Sequence, residues 1–125
     1  MLLDTCALLW LGAGGGRLSR TTLGEIASSP VLAFSAISSF EVAQKTYSGK
    51  LRLPVSPDEW IHRAIERFGC LVAPVDTEVA LKAASLPNIH NDPCDRFIIA
   101  TAALNNWRVV TSDSRFEDYG LKTLL

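Results

Sequence analysis

The stretch Asp92-Pro93-Cys94-Asp95-Arg96-Phe97-Ile98-Ile99-Ala100-Thr101-Ala102, followed by Arg108-Val109-Val110-Thr111-Ser112-Asp113, reads as a helix running into a short buried strand. Asp92 suits the N-cap and Pro93 the first helical position, where a missing N–H costs nothing. The apolar residues that follow predict a long helix to about Asn106. Arg108 to Thr111 is too short and too β-branched for a further helix and predicts a strand.

The same grammar repeats on either side. Residues 1–4 form an apolar run that suits a buried strand. Gly12 to Gly16 is read as a flexible break. Ser19 is placed to cap a helix that Pro30 ends, and Val31 to Phe34 predicts a second strand. Ser35 caps a helix from about Ala36 to Tyr47, with Gly49 as its natural stop. Ser56-Pro57 opens another helix, which ends near Phe68-Gly69. Cys70 to Ala73 predicts a third strand, and Asp76 caps a helix that Pro87 closes. A short helical turn (Phe116 to Tyr119) and a strand (Leu121 to Leu124) complete the sequence. Strands alternating with helices imply an α/β fold with a mostly parallel central sheet of about five short strands flanked by helices. No repeat, linker or low-complexity tract divides residues 1–125, which predicts a single domain.

Composition narrows the function. Apolar residues are 48% and charged residues 20%, a globular balance. A net charge of -1 gives no overall basic character, so any nucleic-acid surface must be a local patch. Cys6, Cys70 and Cys94 lack CxxC pairing, which predicts free thiols and a cytoplasmic setting, not a disulfide scaffold or zinc site. No apolar stretch approaches the ~20 residues that span a bilayer, so no membrane role is predicted.

Four acids stand at chemically expensive places. Asp4 closes the run Met1-Leu2-Leu3, and Asp113 closes Val109-Val110-Thr111-Ser112. Glu41 interrupts the apolar pattern Ile37, Phe40, Val42, Ala43, and Asp95 opens the pattern Phe97, Ile98, Ile99. Carboxylates at the border of apolar segments call for a cationic partner, and hard oxygen donors suit a divalent metal. Ligands of open parallel sheets bind beyond the carboxyl ends of the strands, where Asp4 and Asp113 sit.

Three of the four acids also have an ordinary reading. Asp95 suits N3 of a capping box and Asp113 a cap on Ser114-Arg115-Phe116. Glu41 has Lys45 four residues on, the spacing of a helical ion pair. Asp4 has no evident structural partner. Thr5, Thr111 and Ser112 suit either a site or plain strand-end hydroxyls. His62 and His90 lack ligand spacing and are assigned to the surface, while Trp10, Trp60 and Trp107 are assigned to packing. Arg52, Arg96 and Arg115 are the cations nearest these segments.

Over nearly its whole length the chain resembles the PIN-domain ribonucleases, and more closely the VapC-type toxins of bacterial toxin–antitoxin pairs. The resemblance rests on Leu2-Leu3-Asp4-Thr5, on Phe40-Glu41-Val42-Ala43, on Gly49-Lys50-Leu51-Arg52-Leu53-Pro54, on His90-Asn91-Asp92-Pro93-Cys94-Asp95-Arg96, and on Val109-Val110-Thr111-Ser112-Asp113. It implies a PIN-like fold and an acidic site of Asp4, Glu41, Asp95 and Asp113. That site would hold Mg²⁺ or Mn²⁺, with Asp4 and Asp95 as the principal ligands. Thr5, Ser112 and Arg96 are its candidate supporting residues. An endoribonuclease activity, a cognate antitoxin and a homodimer are implied with it. Cys6, Phe40 and Cys94 stand where relatives often carry His, Trp and Phe, and none of these departures removes an acid.

Other readings differ at named residues. A haloacid-dehalogenase-like phosphatase needs a second acid two residues after Asp4, where Cys6 stands. A PIN nuclease of RNA processing needs no antitoxin, and a non-catalytic RNA- or partner-binding module needs no metal.

Overall fold

The first two strands each end where a capping side chain takes over the backbone. The computed structural model describes all of residues 1–125. Strand β1 is Leu2–Leu3, and helix α1 (Thr5–Gly12) begins directly after it because the Asp4 side chain accepts the Ala7 N–H at 2.7 Å. Helix α2 (Arg20–Ser28) is capped by Ser19. Strand β2 (Ala33–Ser35) passes into helix α3 (Ala36–Tyr47) at Ser35, whose hydroxyl accepts the Ile37 N–H. Helix α4 (Pro57–Phe68) starts at Ser56 and stops at Gly69, which takes the left-handed conformation. Strand β3 (Leu71–Ala73), helix α5 (Thr77–Ser85, capped by Asp76) and helix α6 (Pro93–Asn105, capped by Asp92) follow. Strand β4 (Val109–Val110), a 3₁₀ turn (Ser114–Tyr119) and strand β5 (Thr123–Leu124) close the fold.

All strand pairs are parallel, in the order β3-β2-β1-β4-β5. The period of two along a strand divides the core. Leu3, Phe34 and Val110 face α1, α2 and α4 through Ala7, Leu8, Leu11, Ile26 and Ala64. Leu2, Ala33 and Val109 face α6 through Ile98, Ile99 and Ala102, with Phe116 completing the layer. Helix α5 packs on α6 through Val79, Ala83 and Ala100. This is the doubly covered parallel sheet that near-continuous apolar strands require.

The chain leaves β1 for β2 on one side, while β4 pairs with its other edge. The gap beyond the carboxyl ends of β1 and β4 is therefore the switch point of the sheet, where ligands of open α/β folds bind. Asp4 and Asp113 stand on either side of that gap.

Two readings change here. Residues 5–12, for which the sequence pattern predicts no helix, form α1, so the break expected from Gly12 begins one residue later. The glycine run is also a defined turn and not slack chain. Gly14, Gly15 and Gly16 have positive φ, and a Cβ at Gly16 would lie 2.8 Å from Trp10 Cγ. Glycine is needed there for conformation and for space. Trp10, Trp60 and Trp107 pack against the core clusters as expected. The cysteines are all free, and no helix is long and apolar enough to cross a membrane.

Candidate active site

The four acids arrive from four different elements. Asp4 caps α1 at the end of β1, and Glu41 lies in the second turn of α3. Asp95 lies in the first turn of α6, and Asp113 caps the 3₁₀ turn after β4. They share one electrostatic neighbourhood: Glu41 and Asp113 each act on Asp4, and Glu41 and Asp4 each act on Asp95.

Asp4 is buried, and desolvation raises its pKa, opposed by hydrogen bonds from Thr111 and the Ala7 N–H. Asp95 is pushed up to about 7, first by burial and next by the charge of Asp92, with His90 pulling it down. Asp113 behaves oppositely. The Arg115 side chain holds it well below the usual carboxylate range through two contacts, Nε to Oδ1 at 3.0 Å and Nη2 to Oδ2 at 2.8 Å. The site thus contains two carboxyls that resist ionisation and one that is already neutralised by a fixed cation.

Glu41 does not pair with Lys45. Its Oε1 accepts the Thr5 hydroxyl at 2.6 Å, and Thr5 Oγ1 also lies 2.9 Å from Ser38 Oγ. The reason is that α3 packs with Glu41 facing the start of α1, where a buried hydroxyl outcompetes a solvated ammonium. Thr5 therefore orients an acid. Thr111 Oγ1 accepts the Asp113 N–H at 3.0 Å, while Ser112 is exposed.

Arg96 does not reach the acids. Its guanidinium donates to the carbonyls of Ala83, Leu86, Pro87 and His90 at 2.8 to 3.1 Å. It therefore closes the C-terminal end of α5 and holds the loop that follows. Arg96→Met is expected to lower stability by about 3 kcal/mol in urea denaturation, because four carbonyls lose their donor together. An unchanged denaturation midpoint would refute that role.

His90 is the residue whose surface assignment is wrong. It is 2% exposed. Its Nε2 lies 2.9 Å from Asp113 Oδ2 and 3.0 Å from Asp95 Oδ2, and its ring stands edge-on to Phe116. One signal lay in the sequence: His90 stands two residues before the Asp92 cap, inside the stretch that carries the strongest resemblance. Its partners at 95 and 113 meet only once α6 and β4 are packed. His62 is exposed, as assigned.

The donor set fits a divalent cation. Asp4, Glu41 and Asp95 offer hard oxygens, and two of them are held up in pKa by burial and mutual repulsion. An ion of charge +2 would relieve that repulsion. The largest cavity, between α1 and α4 around Gly12, Trp60 and Phe68, includes none of the four acids.

The chain belongs to the PIN domain family, which matches residues 1–122. It is 32% identical over 120 residues to Ribonuclease VapC22 of Mycobacterium tuberculosis (strain ATCC 25618 / H37Rv), covering 95% of this chain and 91% of that protein. Among solved structures it is similar to the VapBC2 complex of Rickettsia felis bound to a promoter DNA fragment. The TM-score there is 0.71 at 14% identity, covering 98% of this chain and 97% of that one. FitAcB from Neisseria gonorrhoeae gives a TM-score of 0.68 at 20% identity, covering 99% and 96%.

Proposed function

We propose that this protein is a divalent-metal-dependent endoribonuclease that acts as the toxin of a toxin–antitoxin pair. The observation that supports the reading is that Glu41 and Asp113 act electrostatically on Asp4, and Asp4 and Glu41 on Asp95, near the switch point of a PIN-domain sheet. The relative named as a ribonuclease supports the nuclease chemistry.

Asp4 and Asp95 would hold Mg²⁺ or Mn²⁺, with Glu41 and Asp113 completing the site. Such an ion supplies a lowered pKa for bound water and polarisation of the phosphoryl oxygens. The protein's own residues do the rest. Thr5 fixes Glu41 by its 2.6 Å hydrogen bond, so one carboxylate oxygen stays free to orient the attacking water. Asp113 is pinned by Arg115 and is read as a positioning group for the same water. No side chain in the set stands alone as a general base.

The toxin role is favoured over an RNA-processing nuclease because solved structures similar in fold include toxin–antitoxin assemblies. A cognate antitoxin would block the groove most effectively with a cation, such as an arginine, against the unpaired acids.

The test uses purified protein and total RNA with Mn²⁺, with EDTA, and with Mn²⁺ restored. Cleavage is expected to fall at least about a hundredfold in EDTA and to return with the metal. Full-rate cleavage in EDTA rejects the metal mechanism. Growth arrest on induction, relieved by co-expressing a small neighbouring reading frame, checks the toxin role.

A further inference from the structure

His90 lies between two of the proposed ligand-bearing side chains, and its chemistry there is decided by its other nitrogen. Nδ1 lies 3.2 Å from the Asp92 backbone N–H and accepts from it. A nitrogen that accepts carries no proton, so a neutral ring must carry its proton on Nε2. Nε2 lies 2.9 Å from Asp113 Oδ2 and 3.0 Å from Asp95 Oδ2, and Asp113, which Arg115 keeps ionised, can only accept. The tautomer assigned from this network leaves neither nitrogen with a lone pair for a metal. The Nε2 atom and the oxygens of Asp95 and Asp113 lie within 4.8 Å of one another, a spacing that suits coordination. The proton on Nε2 argues against it.

The loop that presents His90 is built for precision. The Tyr119 hydroxyl accepts the backbone N–H of His90 at 2.7 Å and of Ile89 at 3.2 Å, and donates to the Pro87 carbonyl at 2.8 Å. Arg96 grips the same loop through the carbonyls of Pro87 and His90. Phe116 stands T-shaped to the imidazole, the ring planes at 80°. Backbone, ring and both nitrogens are all constrained. A histidine that merely filled space would not need this.

We infer that His90 is a positioning residue which, as its Nε2–H tautomer, donates to Asp113 and steadies Asp95 beside it. It thereby sets the direction in which both carboxylates face the ion without ligating it. The inference rests on the metal-centre reading above. Outer groups that orient metal ligands in this way are worth about 10- to 100-fold in affinity when removed.

Four measurements test it. In metal-free protein, long-range ¹H–¹⁵N spectra of the imidazole are expected to show a pyrrole-type Nε2 and a pyridine-type Nδ1; the reverse assignment overturns the inference. In calorimetric titration with Mn²⁺, His90→Ala is expected to bind about 10- to 100-fold more weakly. His90→Gln, whose amide N–H can reach the Nε2 position, is expected to recover most of that loss. If His90→Ala does not fold, the Gln variant and the tautomer measurement still decide. Pulsed EPR of Mn²⁺ in the unaltered protein is expected to show no directly bound imidazole nitrogen; strong ¹⁴N coupling would make His90 a ligand and overturn the inference. Tyr119→Phe keeps the ring and loses the hydroxyl, and is expected to weaken Mn²⁺ binding at least about threefold. If the unaltered protein binds Mn²⁺ and His90→Ala binds it equally well, the inference alone fails. If the unaltered protein binds no Mn²⁺, the metal-centre reading fails and takes the inference with it.

Discussion

Asp4→Asn and Asp95→Asn are each expected to lower metal-dependent RNA cleavage at least about a thousandfold, about 4 kcal/mol of transition-state stabilisation. Their folds should survive. The Asp4 oxygen that caps α1 accepts the Ala7 N–H at 2.7 Å, and an asparagine carbonyl oxygen can keep that bond. Asn at 95 likewise keeps an acceptor beside His90 Nε2, 3.0 Å from the present carboxylate. Both replacements remove a carboxyl that burial and neighbouring acids already disfavour as an anion. Without metal, the variants should therefore melt no lower than the unaltered protein, and above neutral pH somewhat higher. This combination, lost activity with retained or raised stability, separates a ligand role from a purely structural one. A variant that cleaves RNA at the normal rate would end the proposed mechanism. A variant that unfolds would assign the carboxylate to the fold instead.

Metal binding is expected to weaken steeply with acid, because the proton and the ion compete for the same oxygens. Asp95 is raised from 3.8 to about 7, mainly by burial. Its folded pKa lies above its unfolded one, the reverse of the usual carboxylate case. In metal-free protein the stabilising effect of the protonated carboxyl is therefore complete below the unfolded value and is lost as pH rises through about 7. Asp4 shifts in the same direction. Added Mn²⁺ should reverse the trend, since it binds the ionised form. Each pH unit below 7 is expected to cost about tenfold in Mn²⁺ affinity, or about a hundredfold at pH 5. With Mn²⁺ set a hundredfold above its Kd at pH 8, the melting temperature should rise about 10 °C there and only about 2 °C at pH 5. Parallel thermal melts with and without Mn²⁺ measure this directly. An increment that stays constant from pH 5 to 8 would show that Asp95 does not titrate against the metal. Asp113 should contribute little to the profile, because Arg115 keeps it ionised throughout.

Much of the fold was legible because its punctuation is local. Ser19, Ser35, Ser56, Asp76 and Asp92 all cap the helices they were expected to cap, each by a bond to an N–H two or three residues on. Gly69 ends α4 in the left-handed conformation that its lack of a side chain allows. Helix α1 escaped notice because its cap doubles as the most suspicious acid. The carboxylate that marks Asp4 as a candidate ligand is also the acceptor for the Ala7 N–H that starts the helix.

The site was half legible. The four acids stood out because a carboxylate bordering an apolar run is costly to desolvate. Their partners did not stand out, because those partners come from distant segments. Lys45 is the nearest cation to Glu41 along α3, but Thr5, at the start of α1, takes its oxygen. Arg96 adjoins Asp95 in the chain, yet its guanidinium turns away to four carbonyls. His90 lies 23 residues from Asp113 and rests against it.

By itself, then, the sequence determined the order of the strands and of every helix but α1, which side chains cap most of those helices, and which acids carry a cost. Those properties depend on backbone chemistry within about one helical turn and on the period of the apolar pattern. Only the tertiary structure decided that β1 lies between β2 and β4, and that order sets Asp4 and Asp113 beyond the ends of neighbouring strands. The packing of α6 and the 3₁₀ turn then brought His90 between Asp95 and Asp113. Such contacts are chosen by the burial of whole faces, and no single segment carries the information that sets them.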